Sequence, residues 1–152
     1  MVKIMDKNEA ISAIKFYFQN KADIFNVDIA FLYGSWASGL PNKESDVDIA
    51  VIFTEEMREE VVFEILTTIS LELTDILKKE TNVLFIDREL SKPMLHYNAI
   101  VHGIPVYIRD FTGFVDMKLK AIHQMEDFSI FGIKWQSEIV KRRLEALNRA
   151  RV

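Results

Sequence analysis

The chain contains no cysteine. Disulfides, thiolate metal sites and a cysteine nucleophile are excluded together. It also lacks any apolar run approaching the roughly 20 residues that span a bilayer, and its first residues, Met1-Val-Lys-Ile-Met-Asp-Lys-Asn-Glu9, hold no signal-peptide core. A cytoplasmic protein without membrane contact is expected. A basic excess is missing too: 19 Lys and Arg against 23 Asp and Glu leave a net charge of −4. That balance argues against a whole-surface nucleic-acid binder, so no direct nucleic-acid binding is expected. No internal repeat, low-complexity segment or linker divides the chain. What is present is ample core material, with 49% hydrophobic and 28% charged residues over 152 positions, which fits one domain covering 1–152.

Hydrophobic spacing gives the order of elements. Ala10, Ile11, Ile14, Tyr17 and Phe18 recur with helical period between Lys7 and Lys21, behind Asp6 as N-cap. Asp28–Tyr33 is short, apolar and bounded by turn residues, as a buried strand would be. Asp46–Phe53 predicts a second, central strand, with Val47, Ile49 and Val51 on one face and Asp46, Asp48, Ala50 and Ile52 on the other. Val62, Ile65, Leu66, Ile69, Leu73, Ile76 and Leu77 predict a long helix within 57–79. A strand follows at Asn82–Ile86, then a short helix from Pro93 to about His102 with Gly103 as its C-cap. Ile104–Ile108 is a strand that Pro105 places at an edge or at its start. Two further helices are expected, Phe114–Met125 and about Phe128–Leu147, packing on the domain or on a partner. The loop between the first two strands is too short for a wide helical crossover. The fold class is therefore α/β (α+β): a small mixed sheet of about four or five strands with helices packed on it.

The chemistry is concentrated in Phe31-Leu-Tyr-Gly-Ser-Trp-Ala-Ser-Gly-Leu-Pro-Asn-Lys-Glu-Ser-Asp-Val-Asp-Ile-Ala-Val-Ile-Phe53. Asp46 and Asp48, spaced i, i+2 on a strand, point to one face and can grip a divalent cation. Magnesium, a hard ion, is usually bound by one or two carboxylates together with substrate phosphates. Gly34 lets the backbone approach a phosphate with no Cβ in the way, and the Ser35 hydroxyl can donate to a phosphate oxygen. A helical turn over Trp36–Leu40 would add its N-terminal dipole. The plain alternative makes Gly34 a turn residue, Ser35 a helix cap and the aspartates a solvated strand start. It leaves unexplained two acids facing one way at the head of a strand that otherwise reads as buried.

Gly34-Ser35, ten intervening residues and Asp46-Val47-Asp48, with strands on both sides, resemble the signature of the polymerase-beta-like nucleotidyltransferase superfamily. In size and organisation the chain is most similar to its minimal nucleotidyltransferase branch, the antitoxin halves of HEPN toxin–antitoxin pairs. The signature covers about 20 residues, and Gly103-Ile-Pro-Val-Tyr-Ile108 extends a weaker match. The resemblance implies a nucleotidyltransferase fold, Asp46 and Asp48 as catalytic metal ligands, Gly34, Ser35 and Ser45 at the nucleotide phosphates, Mg²⁺ as cofactor and ATP as co-substrate. It also implies a HEPN-family toxin as partner in a hetero-oligomeric complex.

One departure stands out. Enzymes of the superfamily usually carry a third acid on a neighbouring strand, and aligning Thr81–Arg88 with that strand puts Asn82 in its place. An amide cannot act as a base. Asp87 is five residues on, at the far end of the strand and on the opposite face by parity. General-base catalysis is worth about 10²–10⁴-fold, so a weakened enzyme is expected, helped if the acceptor is a phenol with a pKa of about 10. The expected function is transfer of AMP from Mg-ATP to a hydroxyl, such as a tyrosine, of a HEPN ribonuclease toxin. The alternatives are a degenerate nucleotide- or partner-binding module that neutralises by complex formation, and a transferase acting on a small molecule such as an aminoglycoside. The last would normally need a large extra helical domain.

The remaining candidates stay open between two roles. Ser45 serves a phosphate or carboxylate, or only the turn, and Lys43 faces a triphosphate or solvent beside Glu44, with Gly39 and Pro41 as turn residues. Trp36 stacks near a nucleobase or packs the loop, and Trp135 belongs to the core or an interface, as Phe128, Ile130 and Phe131 do. His96, His102 and His123 show no metal-ligand spacing and suit surface or core roles. Lys141, Arg142, Arg143, Arg149 and Arg151 form a basic C-terminal face. It is either solvated, with Glu138 and Arg142 paired at i, i+4, or a docking surface for an acidic or nucleic-acid-binding partner.

Overall fold

A computed structural model describes residues 5–38 and 45–150. Gly39, Pro41, Lys43, Glu44 and Arg151 lie outside the described residues. Helix α1 (Lys7–Phe25) begins at Asp6, whose carboxylate accepts from the Glu9 amide at 2.8 Å, a cap worth about 1 kcal/mol. It ends at Asn26, where φ is +57°. Strand β1 (Val27–Tyr33) follows, then a single turn α2 (Ser35–Ser38), β2 (Val47–Phe53), α3 (Glu59–Leu77) and β3 (Thr81–Phe85). Helix α4 (Pro93–Tyr97) widens directly into a π-helical turn at Asn98–His102, followed by β4 (Ile104–Ile108) and α5 (Phe111–Ala150).

The four strands lie in the order β3-β2-β1-β4. β1 is antiparallel to both β2 and β4, while β2 and β3 run parallel. The sheet is mixed, as its short first connection requires, and β2 is an interior strand. Pro105, which cannot donate to a ladder, sits on the edge strand β4 opposite Phe31. The alternation along β2 sorts its side chains into two cores. Val47, Ile49 and Val51 pack with Ile14, Phe18, Ile69 and Leu73 of α1 and α3. Ala50 and Ile52 pack on the other face with Ile86, Leu90, Ile100, Met117 and Ala121.

Two sequence expectations change. Gly103 does not adopt the left-handed cap conformation, since its backbone is extended at φ −74°, ψ 168°. Its glycine is needed for space: a Cβ there would stand 2.1 Å from the Ala99 carbonyl oxygen and 3.0 Å from that of Leu32. The two expected C-terminal helices are one helix of 40 residues, about 60 Å long. The pattern changes near Asp127 because the helix leaves the body there. Met117 and Ala121 are buried, whereas Ile133, Trp135, Leu144 and Leu147 are exposed. Among the described residues no helix is long and apolar enough to cross a membrane.

Candidate functional site

The register lines up three strands at one end of the sheet. Tyr33 on β1 pairs with Asp48 on β2, and Asp48 pairs with Asn82 on β3. Directly paired residues share a face, so these three side chains form a row across the sheet, with Asp46 one step ahead of β2. The Val47 amide donates to the Glu80 carbonyl at 2.9 Å, which fixes the heads of β2 and β3 together.

Gly34 closes the end of β1 with φ +76°, a conformation that side chains with a Cβ disfavour. A Cβ at Gly34 would lie 2.5 Å from Asp48 Oδ2. The left-handed φ calls for glycine, and a side chain there would also displace this carboxylate. The Gly34 carbonyl accepts from the Ala37 and Ser38 amides, both at 3.1 Å, which closes α2. The helical geometry leaves the amides of Ser35 and Trp36 at the open end of that turn. Lys7 Nζ donates to the Ala37 carbonyl at 3.1 Å and the Ser38 hydroxyl to the Ser35 carbonyl at 3.0 Å, so the turn is held from outside.

Trp36 is packing material. It is buried, and its indole N–H donates to the Ser45 carbonyl at 3.2 Å. That bond ties the turn after β1 to the residue preceding Asp46. Lys79 Nζ lies 5.7 Å from the centre of the indole ring. Ser45 thus contributes its backbone to the loop closure.

The electrostatics follow from this crowding. Burial raises the Asp48 pKa above the ordinary carboxylate range, a hydrogen bond from Asn82 pulls it partly back, and the Asp46 charge raises it further. The Asn82 side-chain amide also donates to Asp46 Oδ2 at a long 3.4 Å, so one amide serves both acids. Burial, and then the Asp48 charge, push the neighbouring Tyr33 phenol up to about 12. Two carboxylates held together, one of them reluctant to ionise, with only a glycine before them, form a donor set that suits a hard divalent cation. Such an ion would offset the burial penalty and the smaller Asp46 repulsion that together raise the Asp48 pKa. Among the described residues no group of three His, Asp or Glu is placed to hold a metal, so the acids here are a pair.

Asp87 lies elsewhere, beyond the far end of β3. Its carboxylate accepts from the Ser91 amide and hydroxyl, at 3.0 and 2.8 Å, and stands 3.7 Å from His96 Nδ1. His96 is buried and its Nδ1 has no hydrogen-bond partner among the described residues. Burial lowers its pKa despite the nearby Asp87. His102 is the last residue of the π-helical turn, and His123 lies on α5 with its Nδ1 3.8 Å from Glu126 Oε2. Tyr33 is the one residue of the row that spacing alone did not single out. Its signal was parity, because it shares the face of Phe31 and Ile29, but only the β1–β2 register identifies its neighbour.

Comparison with known proteins agrees with this architecture. The family described as Polymerase beta, Nucleotidyltransferase matches residues 12–112. No curated protein matches the chain. Among solved structures, a chain of a toxin–antitoxin complex with AMP-PNP is similar with a TM-score of 0.64 at 15% identity, over 86% of this chain and 98% of that one. A chain of the Shewanella oneidensis complex of a tri-AMPylated HEPN toxin with an MNT antitoxin gives 0.61 at 11%, over 86% and 98%. A chain of the MntA–HepT complex gives 0.59 at 13%, over 85% and 97%. At such identities the likeness is one of fold.

Proposed function

Because the chain belongs to the polymerase-beta nucleotidyltransferase family, we propose that it is an antitoxin that transfers AMP from Mg-ATP to a tyrosine hydroxyl of a HEPN-type ribonuclease toxin. The observation that carries this is the row at the sheet end, with Gly34 against Asp48 and Asp46 beside it. Support for the partner comes from the solved complexes of similar fold, among them one with AMP-PNP and one with an AMPylated toxin.

In the transfer, the acceptor oxygen bonds to the α-phosphorus of ATP, the bond to the bridging oxygen breaks, and pyrophosphate leaves while the phenolic proton passes to water. Ser35 and the open amides of α2 hold phosphate oxygens, and Gly34 keeps the approach clear. Asp46 and Asp48 would hold magnesium, which when bound offsets charge developing on the phosphates. Asn82 donates to both acids and fixes their orientation. It accepts no proton, so the acceptor is activated without a side-chain base, and a phenol needs that help least.

The test is direct. The purified chain incubated with its toxin and Mg-ATP should leave AMP-sized mass additions on a toxin tyrosine, and Asp46→Ala with Asp48→Ala should abolish them. A folded, ATP-binding sample that leaves none overturns the enzymatic proposal. The amide at Asn82 favours one second reading, neutralisation by binding alone. In that case the double substitution leaves both complex formation and toxin inhibition unchanged.

A further inference from the structure

Beyond Gln124 helix α5 carries a seam on which none of the described residues packs. Ile130, Ile133, Ser137, Val140, Leu144 and Leu147 alternate in steps of three and four, the spacing of a helix stripe that packs along another surface. The five apolar members are each more than half exposed, from 53% at Ile130 to 64% at Ile133. The seam is about 25 Å long. Lys134 and Lys141 flank it on one side, with Glu145 beside Lys141, and Arg143 on the other, and none of the three cations has an ion-pair partner among the described residues. Arg142, outside the seam, is paired with Glu138 at 3.5 Å.

The complementary surface is on the same molecule, at the end of the sheet opposite the carboxylate pair. A groove of about 660 Å³ runs between the ends of β2 and β3 and the start of α3. Met57, Phe63, Leu66 and Phe85 line it, with Phe63 71% exposed. Glu55, Glu56, Glu59 and Glu89 surround it. No ion pair among the described residues engages these four glutamates. The cation beside them, Arg88, is already committed to Asp28 at 3.0 Å and to the Phe53 carbonyl at 2.8 Å.

We propose that the seam of α5 docks in the acidic groove of a second copy of this chain, and reciprocally, forming a two-fold dimer by exchange of helical arms. Four points select this occupant. The flanking cations ask for an acid-rimmed acceptor. Pairing of two arms with each other would instead set Lys134 and Lys141 against their own kind when antiparallel, and would offer no opposite charge when parallel. A continuous helix cannot fold back into its own groove. The arm also leaves the body at the groove's rim, where Lys120 Nζ donates to the Arg88 carbonyl and Gln124 Nε2 to the Glu89 carbonyl at 2.9 Å. Two copies related by a two-fold axis beside that rim cross arms and fill both grooves, which closes the assembly.

Sedimentation equilibrium of the full chain should return twice the 17.7 kDa of one copy. Leu144→Asp in the seam and Phe63→Asp in the groove should each give monomers with unchanged circular dichroism, since both side chains are exposed in the single chain. Mixing the two variants should recover a 1:1 dimer through the one intact seam–groove contact. Raising salt from about 0.05 to 0.5 M should weaken the dimer several-fold, because flanking charges are screened. A full-length chain that stays monomeric at high concentration overturns the proposal. So does a Phe63→Asp variant that remains dimeric while Leu144→Asp does not, since the arms would then pair with each other.

Discussion

The site turns on three residues whose side chains crowd one another. Asp48 is the strained member: burial and the Asp46 charge raise its pKa, and only the Asn82 amide works against them. A carboxylate whose folded pKa exceeds its ordinary 3.8 holds its proton more tightly in the folded chain, so its ionisation costs stability as pH rises. Asp48→Asn should therefore raise the melting temperature at pH 7 to 8, and the gain should vanish as pH falls below that ordinary value. Magnesium should raise the melting temperature of the parent chain and not of the variant. A melting series across pH, with and without magnesium, checks both expectations. Asn82→Asp puts a third carboxylate into the row and restores a group able to take a proton. If the proposed transfer occurs, single-turnover AMP transfer should quicken, by up to about 10²-fold, while the metal-free fold becomes less stable. The motif residues were legible because their chemistry is written in residue types at fixed spacing. Tyr33 was not, because its contact with Asp48 is made by strand register.

Elements were legible where a periodic apolar pattern met a terminator. β1 begins one residue before its expected span and β3 shifts by one residue, because Val27 and Thr81 pair into the sheet, which local composition does not reveal. The last helix shows the opposite failure. A change of hydrophobic pattern near Asp127 looks like a break, yet neither Gly nor Pro stands between Met125 and Phe128, so the backbone continues while its surroundings change from core to solvent. Gly103 was legible as a stop and illegible as a contact. Its missing Cβ lets the π-helical turn lie against β1, with Ala99 and Leu32 carbonyls on either side. Gly103→Ala forces backbone against backbone and should cost about 1–3 kcal/mol or more. Urea denaturation should show it as a lower midpoint with little change in slope. Gly113→Ala is the control, since its Cβ would meet only the Asp110 carboxylate, at 3.6 Å.

At the scale of the whole molecule the candidate site is also the clasp of the sheet. Its residues come from the C-terminal end of β1 and the N-terminal ends of β2 and β3, and the same strands carry both hydrophobic cores outward from that row. Separating the strands to unfold the chain therefore destroys the site, so any ligand bound there must be released first. A ligand that binds only the folded chain stabilises it by about 2.7 kcal/mol at a hundred times its dissociation constant, and for a chain of this size a change of that order moves the midpoint by several degrees. Mg-ATP should thus raise the melting temperature in proportion to the logarithm of its concentration. Asp46→Asn with Asp48→Asn should remove the magnesium-dependent part. ATP in excess chelator should show what Ser35 and the α2 amides contribute alone. Equal shifts with and without magnesium would mean that the phosphates are held by the turn and not through the carboxylate pair.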